Sequence, residues 1–208
     1  MNELIQVLIV DDHASMRNLF EREFVPENGF VVTGSIGEAS DALAVCNASN
    51  PDLVVMDVCT ENGASGLDAA EKIVKNFPNT KIIVTSGFDE VTYMPRAKKI
   101  GAHAFVHKIN SAKYYRETAR RVMAGECVFP EPMTIAPRQG EAPFTEREME
   151  VLRLMCKCMS HREIADELFI SPKTVNRHVE NMRAKTGTKS AMGLTTYVLS
   201  NGWINPNY

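Results

Sequence analysis

Five short apolar runs, VLIV at 7–10, FVVTG at 30–34, LVVM at 53–56, KIIVT at 81–85 and AFV at 104–106, punctuate the first half of this 208-residue chain. Each is too short and too rich in β-branched residues to make a good helix, whereas the stretches between them (14–25, 38–48, 67–76, 90–100 and 111–124) read as helical. Strands that alternate with helices do not pair as hairpins. The helix is the crossover that brings the next strand back parallel, so the pattern calls for a parallel sheet covered by helices on both faces.

The text changes after residue 125. ECVFPEPMTIAPRQGEA at 126–142 holds Pro130, Pro132, Pro137 and Gly140 with no period and reads as a semi-rigid linker. Three helix starts follow. TERE (Thr145, Glu148) and SHRE (Ser160, Glu163) fit the capping box, and SPKT offers Ser171 as N-cap with Pro172 at the first helical position. A fourth helix begins near Ser190 and ends by Gly202. Residues 143–208 are therefore expected to form a small all-helical bundle, a second domain in a chain longer than the commonest domain size of about 100–150 residues.

Composition narrows the classes of function. Apolar residues make up 44% and charged residues 24%, so both halves can fold. No apolar run approaches the roughly 18 residues of a membrane span and no secretion signal opens the chain, so a cytoplasmic protein without a membrane partner is expected. The five cysteines are scattered and odd in number, which points to reduced thiols. Cys156 and Cys158, two apart on a helix, point away from each other and do not make a zinc site. Charge is uneven: residues 1–125 hold 13 Lys and Arg against 16 Asp and Glu, while within 171–190 five basic residues face only Glu180. A polyanion belongs to the C-terminal end.

Ligands of an open parallel sheet bind outside the carboxyl ends of its strands. The first run ends in Asp11 and Asp12, the third in Asp57, the fourth in Ser86, and Lys108 follows the fifth. Taken singly, each also fits a helix cap or a solvated lysine. All five, in order on consecutive strands, make one site. Three clustered carboxylates repel unless a hard divalent cation such as Mg²⁺ joins them. A cation beside one carboxylate, with an ammonium and a hydroxyl opposite, suits phosphoryl transfer to that carboxylate.

On these residues, 1–125 resembles the receiver domain of two-component response regulators. The resemblance implies a flavodoxin-like (βα)5 fold with a five-stranded parallel sheet. It also implies that Asp57 is the phospho-acceptor, that Asp11 acts mainly through metal-bound water, and that Asp12, Asp57 and the backbone carbonyl of Cys59 bind Mg²⁺. Ser86 becomes the switch hydroxyl, Lys108 the phosphate partner, and Phe105 the aromatic that turns inward after phosphorylation. The segment DVCTENGASGLDA departs from the family: it lacks the usual Pro after the acceptor and is one residue longer. Cys59 and Phe88, two residues beyond Asp57 and Ser86, would flank an attacking water and so influence phosphate lifetime.

In ISPKTVNRHVENMRAK, Val175, Val179 and Met182 form one apolar stripe, with Lys173, Arg177, Glu180 and Ala184 opposite. Ile164, Ala165 and Leu168 pattern a short helix ahead of it. Pattern alone leaves two readings, a solvated amphipathic helix or a helix-turn-helix whose second helix enters the major groove. The span from Phe144 to Gly187 resembles the LuxR-type output domain, a four-helix helix-turn-helix unit, and joined to a receiver it is similar to the NarL/FixJ class. The resemblance implies that Asn176, Arg177 and Glu180 face base edges, that Lys173, Thr174 and Lys185 meet phosphates, and that the last helix, with Leu194 and Val198, makes the dimer contact, a stripe that pattern alone would also allow as ordinary core. Chemically, Arg177 suits guanine, Asn176 adenine and Glu180 cytosine. The family's usual Gly is replaced at Cys158, its Lys at Asn176 and its Arg at Ala191, which removes basic contacts and gives dimerisation more weight.

The resulting expectation is a regulator, not a turnover enzyme, in which a sensor histidine kinase phosphorylates Asp57 and so controls homodimerisation and binding to promoter half-sites. A regulator of the same architecture that ignores phosphate is the alternative kept alive by the loop after Asp57. Output through protein contacts is another. An aspartyl-phosphate hydrolase is disfavoured because it needs a second Asp where Cys59 stands.

Overall fold

The computed structural model describes residues 4–60, 65–87, 93–131, 143–201 and 203–204, and these form two compact units divided after residue 131. In the first, β1 (Ile5–Val10), β2 (Phe30–Ile36), β3 (Leu53–Asp57), β4 (Lys81–Ser86) and β5 (Ala104–His107) form one sheet in the order β2-β1-β3-β4-β5. Every pairing is parallel, as the alternating pattern requires, and the order is the flavodoxin-like one.

The crossovers are α1 (Ala14–Glu23), α2 (Ala42–Ser49), α3 (Gly66–Asn76), α4 (Tyr93–Lys99) and α5 (Ala112–Met123). Side chains alternate across a strand, so each buried run serves two cores. Leu8, Val10, Val54, Met56, Ile82 and Val84 pack with Cys46 of α2, Leu67 and Ile73 of α3 and Ala97 of α4. Val7, Ile9, Leu53, Val55, Ile83 and Val106 pack on the other side with Phe20 of α1 and Tyr115 and Val122 of α5. These runs are apolar throughout because neither face meets water.

The stretch at 126–142 does not begin as a linker. Val128 is buried, donates its N–H to the His103 carbonyl at 2.9 Å and accepts from the Phe105 N–H at 3.0 Å, so it adds a parallel bridge beside β5. Phe129 packs on the same unit beneath the Lys98 ammonium. A β-branched residue and an aromatic ring cover what would otherwise be an open sheet edge, and the first unit runs past residue 125. Residues 132–142 of the expected linker lie outside the described residues.

The second unit holds α6 (Glu146–Cys156), α7 (His161–Glu167), α8 (Pro172–Thr186) and α9 (Ala191–Ser200). Both expected capping boxes form, at Thr145 with Glu148 and at Ser160 with Glu163. Ser171 caps α8, Pro172 opens it, and Gly187 closes it in the left-handed conformation. Cys158 also has a positive φ of 60°, the backbone reason a glycine suits that position. Val151, Leu152, Ile164, Val175, Met182, Leu194 and Val198 form the core.

Two expectations are corrected here. Leu194 and Val198 are fully buried within their own domain, because the stripe i, i+4 of α9 faces α6 and α8, so they hold the fold and are not available to a second copy. The outward side of α9 carries Met192, 78% exposed, and Leu199. Lys185, expected at phosphates, is turned inward: its ammonium lies 2.6 Å from Glu148 Oε2 and donates to the Pro143 carbonyl at 2.9 Å.

Burial alone would push the Glu148 carboxyl up, but Lys185 and the Thr145 donors outweigh it and hold the carboxyl below its usual range. A carboxylate held low by the fold stabilises it above the unfolded value of about 4.3, and this contribution is lost as pH falls through the lowered folded value. Trp203, the sole tryptophan, packs against Phe144 and Tyr197 in this unit, so its fluorescence in urea reports the domain's unfolding. Lys185→Met is expected to cost about 3 kcal/mol at neutral pH, and the deficit of Glu148→Gln should shrink toward pH ~3 as wild-type Glu148 protonates.

Candidate functional site

The strand ends bring four expected residues together. Asp11 is fully buried after β1, Asp57 is 2% exposed at the end of β3, and Ser86 is fully buried at the end of β4. Lys108 follows β5, its N–H donating to the Ser86 carbonyl at 2.7 Å. Its ammonium lies 2.8 Å from Asp11 Oδ2 and 2.8 Å from Asp57 Oδ2. One cation thus sits between two carboxylates contributed by strands 46 residues apart in the chain.

The electrostatics follow from this burial. Desolvation, with the Asp11 charge beside it, pushes Asp57 up to about 7, while Lys108 pulls the other way. Desolvation also works against the Lys108 charge, but Asp57 and Asp11 outweigh it and hold the ammonium above its usual range.

Asp11, Asp12, His13 and Asp57 direct oxygen or nitrogen atoms into a region where all lie within 4.8 Å of one another. Asp11 Oδ2 and Asp12 Oδ1 are buried oxygens whose polar neighbours are the Lys108 ammonium, at 2.8 Å, and the His13 ring. Carboxylate oxygens gathered in this way fit the ligand set of a hard divalent cation. Cys59 is half-buried just beyond, bridged to Ser65, with its Sγ 3.6 Å from the Tyr93 hydroxyl. The loop at 61–64 and Phe88 lie outside the described residues.

Sequence reasoning missed several supporting residues. His13 donates its backbone N–H to Asp11 Oδ1 at 2.9 Å and pairs through Nδ1 with Asp12. Arg17, one turn into α1, donates to the carbonyls of Asp11 (2.8 Å) and Asp12 (3.0 Å), which fixes the backbone of the acidic pair. A basic residue one turn after an acidic pair is a signal the sequence contained. Gly66 carried none: a Cβ there would stand 1.7 Å from the Asp57 carbonyl oxygen, so the backbone of α3 passes the acceptor where only glycine fits. Phe105 is 2% exposed and packs in the core beside His107. The inward position expected to follow phosphorylation is the one it holds here.

In the second unit, α8 buries Val175, Val179 and Met182 and exposes Lys173, Asn176, Arg177 and Glu180. Thr174 is half-buried at the cap, 2.8 Å from the Ser171 hydroxyl. His161 of α7 reaches Asn176, a contact between helices that no periodicity indicates. The turn before α8 carries Phe169, 96% exposed with φ of 54°.

The sequence matches the response regulator receiver domain over residues 7–119 and the luxR family of bacterial regulatory proteins over 142–198. The response regulator protein VraR of Staphylococcus aureus is 30% identical over 208 residues, covering 96% of this chain and 99% of its own. The uncharacterized transcriptional regulatory protein YxjL of Bacillus subtilis is 28% identical over 214 residues, covering 96% and 97%. Among solved structures, the RcsB response regulator of Salmonella typhimurium superposes with a TM-score of 0.60 at 20% identity, over 96% of this chain and 100% of its own. RcsB bound to promoter rprA in the presence of phosphomimetic BeF3- gives 0.63 at 20% identity, over 95% and 99%. At such identity these structures speak for the fold alone.

Two outcomes are expected of the site. Gly66→Ala should cost the first unit about 3 kcal/mol, the upper end for overpacking because the obstructing atoms are backbone, read by hydrogen exchange of β1 and β3 amides. Asp57, raised by the fold, contributes stability that is complete below its unfolded value of about 3.9 and is lost as pH rises through its folded value. Metal-free protein should therefore lose protection in β3 between pH ~4 and pH ~7, and Asp57→Asn should flatten that profile.

Proposed function

The chain belongs to the two-component response regulators that join a receiver domain to a LuxR-type DNA-binding domain, and on that premise we propose that a sensor histidine kinase phosphorylates Asp57 and that this controls dimerisation and sequence-specific binding to promoter DNA. As a transcription regulator of this family, it is not a turnover enzyme. The observation that carries the proposal is the Lys108 ammonium held 2.8 Å from both Asp11 and Asp57.

The chemistry is phosphoryl transfer to a carboxylate. An Asp57 oxygen attacks phosphorus in line as the bond to the donor breaks, and Lys108 then pairs with a phosphoryl oxygen, leaving its present partner. Ser86 donates its hydroxyl to another of those oxygens. Asp11, Asp12, Asp57 and the Cys59 carbonyl would hold Mg²⁺, which supplies charge neutralisation for the transferred group. Arg17 and His13 keep the acidic pair in place. Phe105 is the proposed aromatic of the switch, with its burial coupled to the Ser86 side of the sheet.

For the output domain, Lys173 and Thr174 are proposed at phosphates and Asn176, Arg177 and Glu180 at base edges. This is supported by the exposure of Lys173, Asn176, Arg177 and Glu180 on one face of α8, with Thr174 half-buried at its cap, and by the DNA-bound state of RcsB. Lys185 is left out because Glu148 and Pro143 take two of its three N–H donors and hold it against the core. The exposed side of α9, Met192 and Leu199, is the proposed dimer contact in place of Leu194 and Val198. A cytoplasmic location is part of the same proposal, since its proposed DNA and kinase partners meet there. No helix among the described residues is long and apolar enough to cross a membrane.

Incubation with acetyl phosphate and Mg²⁺, followed by intact mass and light scattering, tests this reading. A single phosphoryl adduct that needs Mg²⁺, is absent from Asp57→Asn and accompanies a monomer-to-dimer shift is the expected result. No adduct under any condition would move the protein to phosphate-independent control. Met192→Lys should leave the adduct intact and weaken dimerisation by roughly fivefold or more, since a charge placed in an apolar contact costs on the order of 1–3 kcal/mol or above.

A further inference from the structure

We propose that His161, by engaging the amide oxygen of Asn176, biases its base preference from adenine toward guanine; this rests on the reading of α8 as the base-contacting helix. His161 Nδ1 lies 2.5 Å from Asn176 Oδ1. An amide oxygen only accepts, so the hydrogen belongs to the imidazole: Nδ1–H donates and Asn176 Oδ1 receives.

The contact is built into the packing of the two helices. His161 is the first residue of α7, placed by the Ser160 capping box, in which Ser160 N–H donates to Glu163 Oε2 at 2.7 Å and Glu163 N–H to Ser160 Oγ at 3.3 Å. Ile164 and Ala165 of α7 are buried in one cluster with Val175 of α8, the residue before Asn176. The core therefore sets the distance between His161 and Asn176.

The consequence concerns which half of the amide remains for DNA. Pairing with adenine needs both halves, with Oδ1 accepting from N6–H and Nδ2 donating to N7. The His161 N–H takes one of the two lone pairs on Oδ1 and holds that oxygen toward α7, so an adenine N6–H would have to compete for it, while the Nδ2 hydrogens still donate. In the major groove guanine offers N7 and O6, two acceptors side by side, whereas adenine offers one acceptor beside a donor. An amide whose acceptor is already engaged therefore favours guanine, in place of the adenine pairing that Asn176 by itself suggests. Arg177, next in the chain and exposed, adds further donors, so Glu180 becomes the acceptor on this face.

The test is selection from a pool of random-sequence DNA duplexes by the full-length protein incubated with acetyl phosphate and Mg²⁺. Asn176→Ala identifies the position by flattening it, and at that position the wild type should enrich G·C pairs. His161→Ala should shift the position toward A·T by roughly tenfold, the scale of one bidentate discrimination. His161→Gln, whose side-chain amide also donates, should retain G·C. Unfolding followed by Trp203 fluorescence checks that the variants remain folded, and a merely structural role for His161 would lower affinity without changing the base chosen. The inference is overturned if the wild type selects A·T at that position, if His161→Ala leaves the choice unchanged, or if Asn176→Ala flattens no position. A wild type that enriches no sequence would instead remove the DNA-binding reading, and this inference with it.

Discussion

A single ammonium between two buried carboxylates organises the receiver. Lys108 touches Asp11 and Asp57 at the same distance, and without it two carboxylates would face each other out of water, each disfavouring the other's charge. Because Asp57 is nevertheless pushed up to about 7, the pair is only partly compensated. A site left in that condition attracts more positive charge from outside. The incomplete neutralisation is what suits the pocket to a hard cation; in the proposed phosphoryl transfer Lys108 would move to a phosphoryl oxygen.

That arrangement depends on the sheet. Five parallel strands end on one edge, so groups far apart in the chain meet there without any long loop to hold them. The backbone near the acceptor is equally constrained. Gly66 leaves no room for a side chain beside the Asp57 carbonyl, and Arg17 fastens the carbonyls of Asp11 and Asp12. The loop after Asp57, unusual in sequence, is therefore anchored at its far end by a close backbone approach.

Local signals in the chain were reliable where they had a local cause. Capping boxes at Thr145 and Ser160, the Ser171 cap with Pro172, and the alternation of strands and helices all depend on residues a few positions apart, and all form. The exposed face of α8 follows from helical spacing in the same way. Errors arose where a residue's partner is distant. Lys185 reads as a surface cation until Glu148, 37 residues earlier, takes it. Leu194 and Val198 read as a contact stripe until the core closes over them. Residues 126–129 read as linker because proline and glycine follow them, yet Val128 completes the edge of β5.

By itself the sequence determined the class of fold, the five residues at the strand ends and the exposed face of α8, because strand and helix periods and chain order are properties of neighbouring residues. Tertiary structure alone decided which charges are paired, how far Asp57 is raised, and that the Asn176 amide oxygen meets His161. Those depend on distances between elements, and such distances come into being only when the cores pack.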